Sequence, residues 1–198
     1  EPIIVDDLRN SEERVLGGLE QITGRKPAIH RVDCTDFAAL DQVLAAEKPD
    51  SVIHFAADKA VGESVRDPLK YYHNNIGSLA TLLRAMAKHG VGDLVFSSSC
   101  TVYGEGDKLP VTEDSPTGAA ASPYGYTKVV CEQMLRDASI ADPALRVVML
   151  RYFNPIGAHP SAHIGELPIG VPNNLVPFIT QAAAGLRDKL TVFGNDYP

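Results

Sequence analysis

Short apolar runs alternate with longer stretches in which apolar residues return every three or four positions. Runs at 2–5, 28–32, 51–55, 93–98 and 145–150 close on polar or small residues, which predicts strands. Helices are predicted over 11–22, 36–46, 68–88 and 124–139, with a glycine-bearing loop through Gly62 after the third strand. In the longest helix Leu69, Tyr72, Ile76, Leu79, Leu83 and Met86 form one stripe at spacings of three and four. This β-α-β-α order predicts an α/β fold with a doubly wound parallel sheet. From Asn154 the texture changes: Pro155, Gly157, Pro160, Gly165, Pro168, Gly170 and Pro172 punctuate an irregular passage, followed by a short helix over 174–186 and a short strand over 190–193. Residues 1–153 and 154–198 are therefore expected to form two regions, the second beginning a smaller, loop-rich part of the kind that covers a substrate.

Composition narrows the classes. Of 198 residues, 44% are hydrophobic and 22% charged, as in globular proteins. With 18 basic against 25 acidic residues and no basic tract, neither nucleic acid nor an anionic membrane is an expected partner. No apolar stretch reaches membrane-spanning length. Cys34, Cys100 and Cys131 are odd in number and lack a C-x-x-C spacing, as expected of reduced thiols in the cytoplasm. His159 and His163 lie among Pro160 and Gly165 in a loop context, and no metal is expected.

The candidate chemistry centres on Tyr124 and Lys128. Four residues apart on a helix, they share a face, and a nearby ammonium favours the phenolate over the phenol. Ser122-Pro123 supplies an N-cap and a proline at the first helical position, placing Tyr124 at the helix start. Ser97-Ser98-Ser99 ends a predicted strand and offers a hydroxyl to the same substrate oxygen. Asp6, Asp33, Ala56-Ala57 and the residues 152–154 fall at other strand ends, the edge where open α/β sheets bind ligands. Asp6 reads either as a ligand of an adenosine ribose, which selects NAD over NADP, or as a turn residue.

Longer motifs add a resemblance: Val5-Asp6-Asp7-Leu8-Arg9-Asn10-Ser11, His54-Phe55-Ala56-Ala57, Lys59-Ala60-Val61-Gly62-Glu63-Ser64 and Tyr72-His73-Asn74-Asn75. Ser97-Ser98-Ser99-Cys100-Thr101-Val102-Tyr103-Gly104, Ser122-Pro123-Tyr124-Gly125, Arg151-Tyr152-Phe153-Asn154-Pro155 and Pro172-Asn173-Asn174-Leu175 extend it along the whole chain. The sequence resembles the extended short-chain dehydrogenase/reductase family and, within it, the UDP-glucose 4-epimerases. The resemblance implies a Rossmann-type dinucleotide-binding domain over 1–153 and the start of a UDP-sugar-binding region over 154–198. It implies retained NAD, held by Asp6, Asn10, Ser11, Asp33, Cys34, Phe55, Ala56, Ala57, Lys59, Asn74 and Phe153 together with Ser99, Tyr124 and Lys128. Asn75, on the apolar stripe, is the structural asparagine. Ser99, Tyr124 and Lys128 match the catalytic trio, and Ser99, Tyr124, Asn154, Asn174, Leu175, Thr191, Val192 and Phe193 correspond to UDP-sugar contacts. A homodimer built on the helices at 68–88 and 124–139 is also implied.

The chain departs from the family pattern at Asp7, Ala57-Asp58, Cys100 and Tyr126. No G-x-x-G-x-x-G occurs in it, so the first β-α unit of such a fold is expected to be lacking, with a gap inside the sheet. The expectation is an internal portion of a longer polypeptide, incomplete for activity by itself. Sugar-nucleotide dehydration commonly uses an Asp-Glu pair where Cys100 and Thr101 stand. The remaining alternatives are a glucuronate- or xylose-type UDP-sugar 4-epimerase, and a non-catalytic UDP-sugar or NAD-binding module.

Overall fold

The computed structural model describes residues 1–198 except 106–108, 167–168, 173, 193 and 197–198. In chain order its elements are β1 (Ile3–Val5), α1 (Arg14–Thr23), β2 (Ala28–His30), α2 (Phe37–Glu47), β3 (Ser51–His54), α3 (Val61–Arg66) and α4 (Pro68–Tyr71). A π-helical turn (Tyr72–Ile76) leads into α5 (Gly77–His89), β4 (Asp93–Ser99), a 3-10 turn (Cys100–Tyr103), α6 (Pro123–Ala141), β5 (Arg146–Tyr152) and α7 (Leu175–Ala183). These group into two units, one of Ile3–Asp7 and Ile29–Phe153, the other of Glu1–Pro2, Leu8–Ala28 and Asn154–Pro198.

The larger unit carries the sheet. β3, β4 and β5 pair in parallel, with Ser51 opposite Asp93 and Asp93 opposite Arg146, and the register runs on to Ser99 opposite Tyr152. Parallel neighbours need long crossovers, supplied here by α3 to α5 and by α6. β1 and β2 form a separate pair, and among the described residues no strand joins them to β3.

The core gathers Leu40 and Leu44 of α2, Leu79, Leu82 and Met86 of α5, Leu94 and Phe96 of β4, and Cys131 and Leu135 of α6. Burying an aliphatic or aromatic side chain of this size is worth about 1.5–3 kcal/mol, so these positions hold the helices onto the sheet. Caps fix where the helices begin. Asp36 accepts the Ala39 N–H at 3.1 Å and Ser122 accepts that of Gly125 at 3.1 Å.

Two sequence expectations are corrected and one is refined. The stretch 68–88 is helical throughout, but the π turn at Tyr72–Ile76 inserts an extra residue and rotates what precedes it by about 100°. Leu69 therefore lies 76% exposed, off the stripe, while Tyr71 is fully buried. The loop expected through Gly62 includes the short helix α3, held from outside: Glu63 accepts from Tyr71 Oη at 2.7 Å and Lys70 Nζ at 2.8 Å. The strand expected over 190–193 is absent from its described part, residues 190–192, which are irregular.

In the smaller unit a Cβ on Gly18 of α1 would strike the His163 carbonyl, so the helix and this loop meet backbone to backbone. The partner of His159 Nδ1 is Ser161 Oγ, at 2.9 Å.

Candidate active site

The site is built where the C-terminal end of β4 meets the start of α6. Pro123 and the Ser122 cap start α6 so that Tyr124, Lys128 and Glu132 follow at spacings of four on one face. At β4 the backbone delivers Ser97, Ser98 and Ser99 in succession. Ser99 lies beside Tyr124 and favours its phenolate form. Lys128, 4% exposed, donates from Nζ to Ser97 O at 2.8 Å and lies 4.8 Å from the centroid of the Phe96 ring.

Close approach between the two elements depends on Gly125. A Cβ there would come within 3.2 Å of Thr101 Cβ and 3.1 Å of Ala120 Cβ, so that these neighbours would have to give by a few tenths of an ångström. Gly104 ends that turn at φ 65°, and a Cβ on it would collide with the Ala119 carbonyl. Thr101 orients Ser99, since both its N–H (3.3 Å) and its hydroxyl (3.0 Å) donate to Ser99 Oγ. Ser99 can then direct its own proton at Tyr124.

Electrostatics here correct a sequence-based expectation. Burial raises the Tyr124 pKa above the ordinary phenol value, with Ser99 acting against it. Lys128, turned toward Ser97 O and Phe96, does not pull the phenol down. Its own pKa is pushed to about 8 by burial. His54, at the end of β3 and stacked on Phe96 with ring centroids 5.9 Å apart, is pushed down to about 4 by burial and stays neutral at physiological pH.

A second layer joins the loop after β3 to the same helix. Asn75, in the π turn, accepts the Asp58 N–H at 2.8 Å and donates to the Asp58 carbonyl at 2.9 Å and to Thr127 Oγ1 at 3.1 Å. Thr127 donates in turn to the Tyr124 carbonyl at 2.6 Å. Asn74 Nδ2 bonds Asn75 Oδ1 at 3.0 Å. Asn75 is therefore the structural asparagine, as its place on the stripe indicated, and it ties down the loop that carries Phe55, Ala56, Ala57 and Lys59. Phe55 is 62% exposed on that loop.

Asp6 follows β1, with its N–H on the His30 carbonyl at 3.1 Å. Asp33 Oδ1 accepts from Thr35 N at 2.8 Å and Thr35 Oγ1 at 2.7 Å, and Cys34 beside it is partly buried. Phe153 leaves β5 directly after Tyr152, 61% exposed. The smaller unit holds Asn10 and Ser11, Asn154, Leu175 at the start of α7, Thr191 and Val192. It also holds Asn174, whose Nδ2 donates to Glu166 at 2.7 Å. Phe193 lies outside the described residues.

The roles of Thr101, Thr127 and Glu132 went unread in the sequence. Only Glu132 left a legible mark, as the third residue of the Tyr124, Lys128 spacing.

The family model described as NAD dependent epimerase/dehydratase matches residues 3–197. The UDP-glucose 4-epimerase of Bacillus subtilis (strain 168) is 52% identical over 198 residues, covering 100% of this chain and 58% of the relative. The solved UDP-glucose 4-epimerase of Bifidobacterium longum, in complex with NAD+ and UDP, superposes with a TM-score of 0.96 at 48% identity, over 98% of this chain and 58% of that one. That of Stenotrophomonas maltophila, with bound NAD and formylated UDP-arabinopyranose, gives 0.94 at 48% identity, over 99% of this chain and 58% of that one. The chain spans about 58% of the length of these relatives.

Proposed function

Since the chain belongs to the NAD dependent epimerase/dehydratase family, we propose that its protein interconverts UDP-glucose and UDP-galactose at C4 of the hexose, with NAD retained. The carrying observation is Tyr124 with the buried Lys128 one turn on along α6, where Lys128 holds the Ser97 carbonyl of the strand that ends at Ser99. The names of the relatives at about half identity support the same substrate class.

The side chains present suit the two ends of a dinucleotide. Carboxylates at Asp6 and Asp33 match ribose and adenine donors. Asn74, Lys128 and the exposed rings of Phe55 and Phe153 match the nicotinamide end. No G-x-x-G-x-x-G occurs in the 198 residues, and Phe55, Ala56, Ala57 and Lys59 line the diphosphate and nicotinamide side. When bound, NAD supplies a reversible two-electron acceptor facing C4, so that the sugar passes through a 4-keto form and returns inverted with no net redox change.

Tyr124 Oη takes the proton of the 4-hydroxyl and returns it after the sugar has turned over. Ser99 Oγ, oriented by Thr101, donates to the oxygen that carries charge at each stage. Lys128 uses one of its three N–H bonds on Ser97 O, which leaves two for the nicotinamide ribose. Asn154, Asn174, Leu175, Thr191, Val192 and Phe193 hold the UDP-sugar, with 1–153 serving the dinucleotide and 154–198 beginning the sugar-nucleotide region. The Thr101 hydroxyl serves Ser99 and Cys100 carries no carboxylate, which speaks against elimination chemistry.

None of Cys34, Cys100 and Cys131 is joined in a disulfide, which supports a cytoplasmic protein. Exposed Leu69, Tyr126 and Ile140 support a homodimer formed on these helices.

The test is turnover of UDP-galactose by the intact protein without added NAD, beside Tyr124→Phe. UDP-glucose should form, and the variant should lose about 100-fold or more in kcat, as removal of a general base does. No turnover even with NAD supplied would move the assignment to another sugar-nucleotide enzyme or a binding module.

A further inference from the structure

Three consecutive serines of β4 are each held by a different side chain on one face of α6. Ser97 O accepts from Lys128 Nζ at 2.8 Å, Ser99 lies beside Tyr124 and favours its phenolate form, and Ser98 Oγ donates to Glu132 Oε1 at 2.6 Å. Two of these helix residues belong to the catalytic trio. Glu132, one turn beyond Lys128, is the third fastener of the same strand end. It is 3% exposed, yet its carboxylate is fully engaged. Besides Ser98 it accepts from Arg151 Nε at 2.9 Å, Arg151 Nη2 at 2.7 Å and Arg136 Nη2 at 3.0 Å.

Arg151 lies opposite Ser98 in the β4–β5 register. Its Nη1 donates to Tyr103 Oη at 2.9 Å, and the guanidinium stacks 4.8 Å from the Tyr103 ring centroid. Tyr103 ends the 3-10 turn that begins after Ser99. One carboxylate thus links the strand before Ser99, the turn after it, the neighbouring strand and the helix that bears Tyr124. Burial acts to raise the Glu132 pKa, but the Arg151 and Ser98 bonds prevail and hold it below the usual carboxylate value, so Glu132 stays charged at neutral pH.

We propose that Glu132, locked by Arg151, is a positioning residue that seats α6 on the end of β4 and thereby sets the contact between Ser99 and Tyr124. This rests on the reading of Tyr124 as the catalytic base. A buried ion pair is weak ground for a role in stability, because apolar replacements of similar volume often match or exceed it. Alignment is what such replacements do not reproduce, since a bidentate guanidinium–carboxylate pair fixes direction as well as distance.

Two variants of the intact protein separate the roles. Ser98→Ala removes the strand-side bond and leaves the Glu132–Arg151 pair. Glu132→Leu combined with Arg151→Met replaces the pair with apolar bulk, so that neither charge is left buried alone. Each is measured for thermal midpoint, kcat, KM and the alkaline ultraviolet titration of Tyr124, isolated by difference against Tyr124→Phe.

Both variants should fold, lose about tenfold in kcat with KM within about twofold, and titrate Tyr124 at least about half a pH unit higher, because the Ser99 contact that favours the phenolate is slackened. A Tyr124 titration that stays at the wild-type pH overturns the proposal, whatever happens to stability or turnover. If the double variant does not fold, Ser98→Ala decides alone. The titration needs no substrate, so it decides the positioning role even if the intact protein proves to turn over no UDP-sugar.

Discussion

The pair Tyr124 and Lys128 sets the pH response. Tyr124 is raised above the ordinary phenol range, so its base form is a minority at neutral pH, and Lys128 loses its proton near pH 8. In the reaction proposed above, the working state needs a phenolate and an ammonium together. Below pH 8 the phenolate fraction rises about tenfold per unit while the lysine stays charged, so log kcat should climb with a slope near one. Above pH 8 each gain in phenolate is offset by a loss of ammonium, and the profile should flatten. In Lys128→Met the residual activity should climb without a break near pH 8. An inflection persisting there in the variant would assign it to a different group. The pairing of Tyr124 with Lys128 was visible from spacing alone. The direction of the tyrosine shift was not, because it depends on burial and on Lys128 turning toward Ser97 O, neither of which a helical spacing encodes.

Among the elements, the π turn is the least expected and the most connected. A uniform 3.6-residue period described the apolar residues of 68–88 well enough to suggest one helix. The inserted residue is marked by Asn74 and Asn75, two adjacent polar residues that are both buried. Asn75→Ala leaves the Asp58 N–H and carbonyl without their side-chain partner, and a buried group left unsatisfied costs about 1–3 kcal/mol. The expected outcome is lower stability of that size and faster hydrogen exchange at the Asp58 amide, with protection in β4 falling only as far as global stability does. Unchanged protection at Asp58 would show that the loop is held by other bonds. The strands and longer helices were legible because alternation and amphipathic period are local properties. α3 was missed because Tyr71 and Lys70, in the next helix, hold it. The strand expected near 190 rested on β-forming residues alone, which do not make a strand without a neighbour to pair with.

At the scale of the whole molecule the sheet is in two pieces and the units are interleaved, so strand order could be read from the sequence more readily than the partition into units. The chain passes between the units four times, after residues 2, 7, 28 and 153. β1 belongs with the larger unit although α1, which follows it, belongs with the smaller, and Val5 packs against the core. A fragment of residues 29–153 should therefore unfold at lower denaturant than the 198-residue chain, by an amount set largely by the loss of β1. Equal midpoints would show that β1 adds nothing to the larger unit. The interleaving also bears on how such a protein can be recombined. A crossover after residue 153 would exchange the region from Asn154 onward, but the partner gene would still inherit the stretch 8–28 from the first parent. A chimera made there would combine two ancestries inside the smaller unit, where Gly18 and His163 meet backbone to backbone. Compatibility between those two stretches, more than catalytic residues, would decide which hybrids fold.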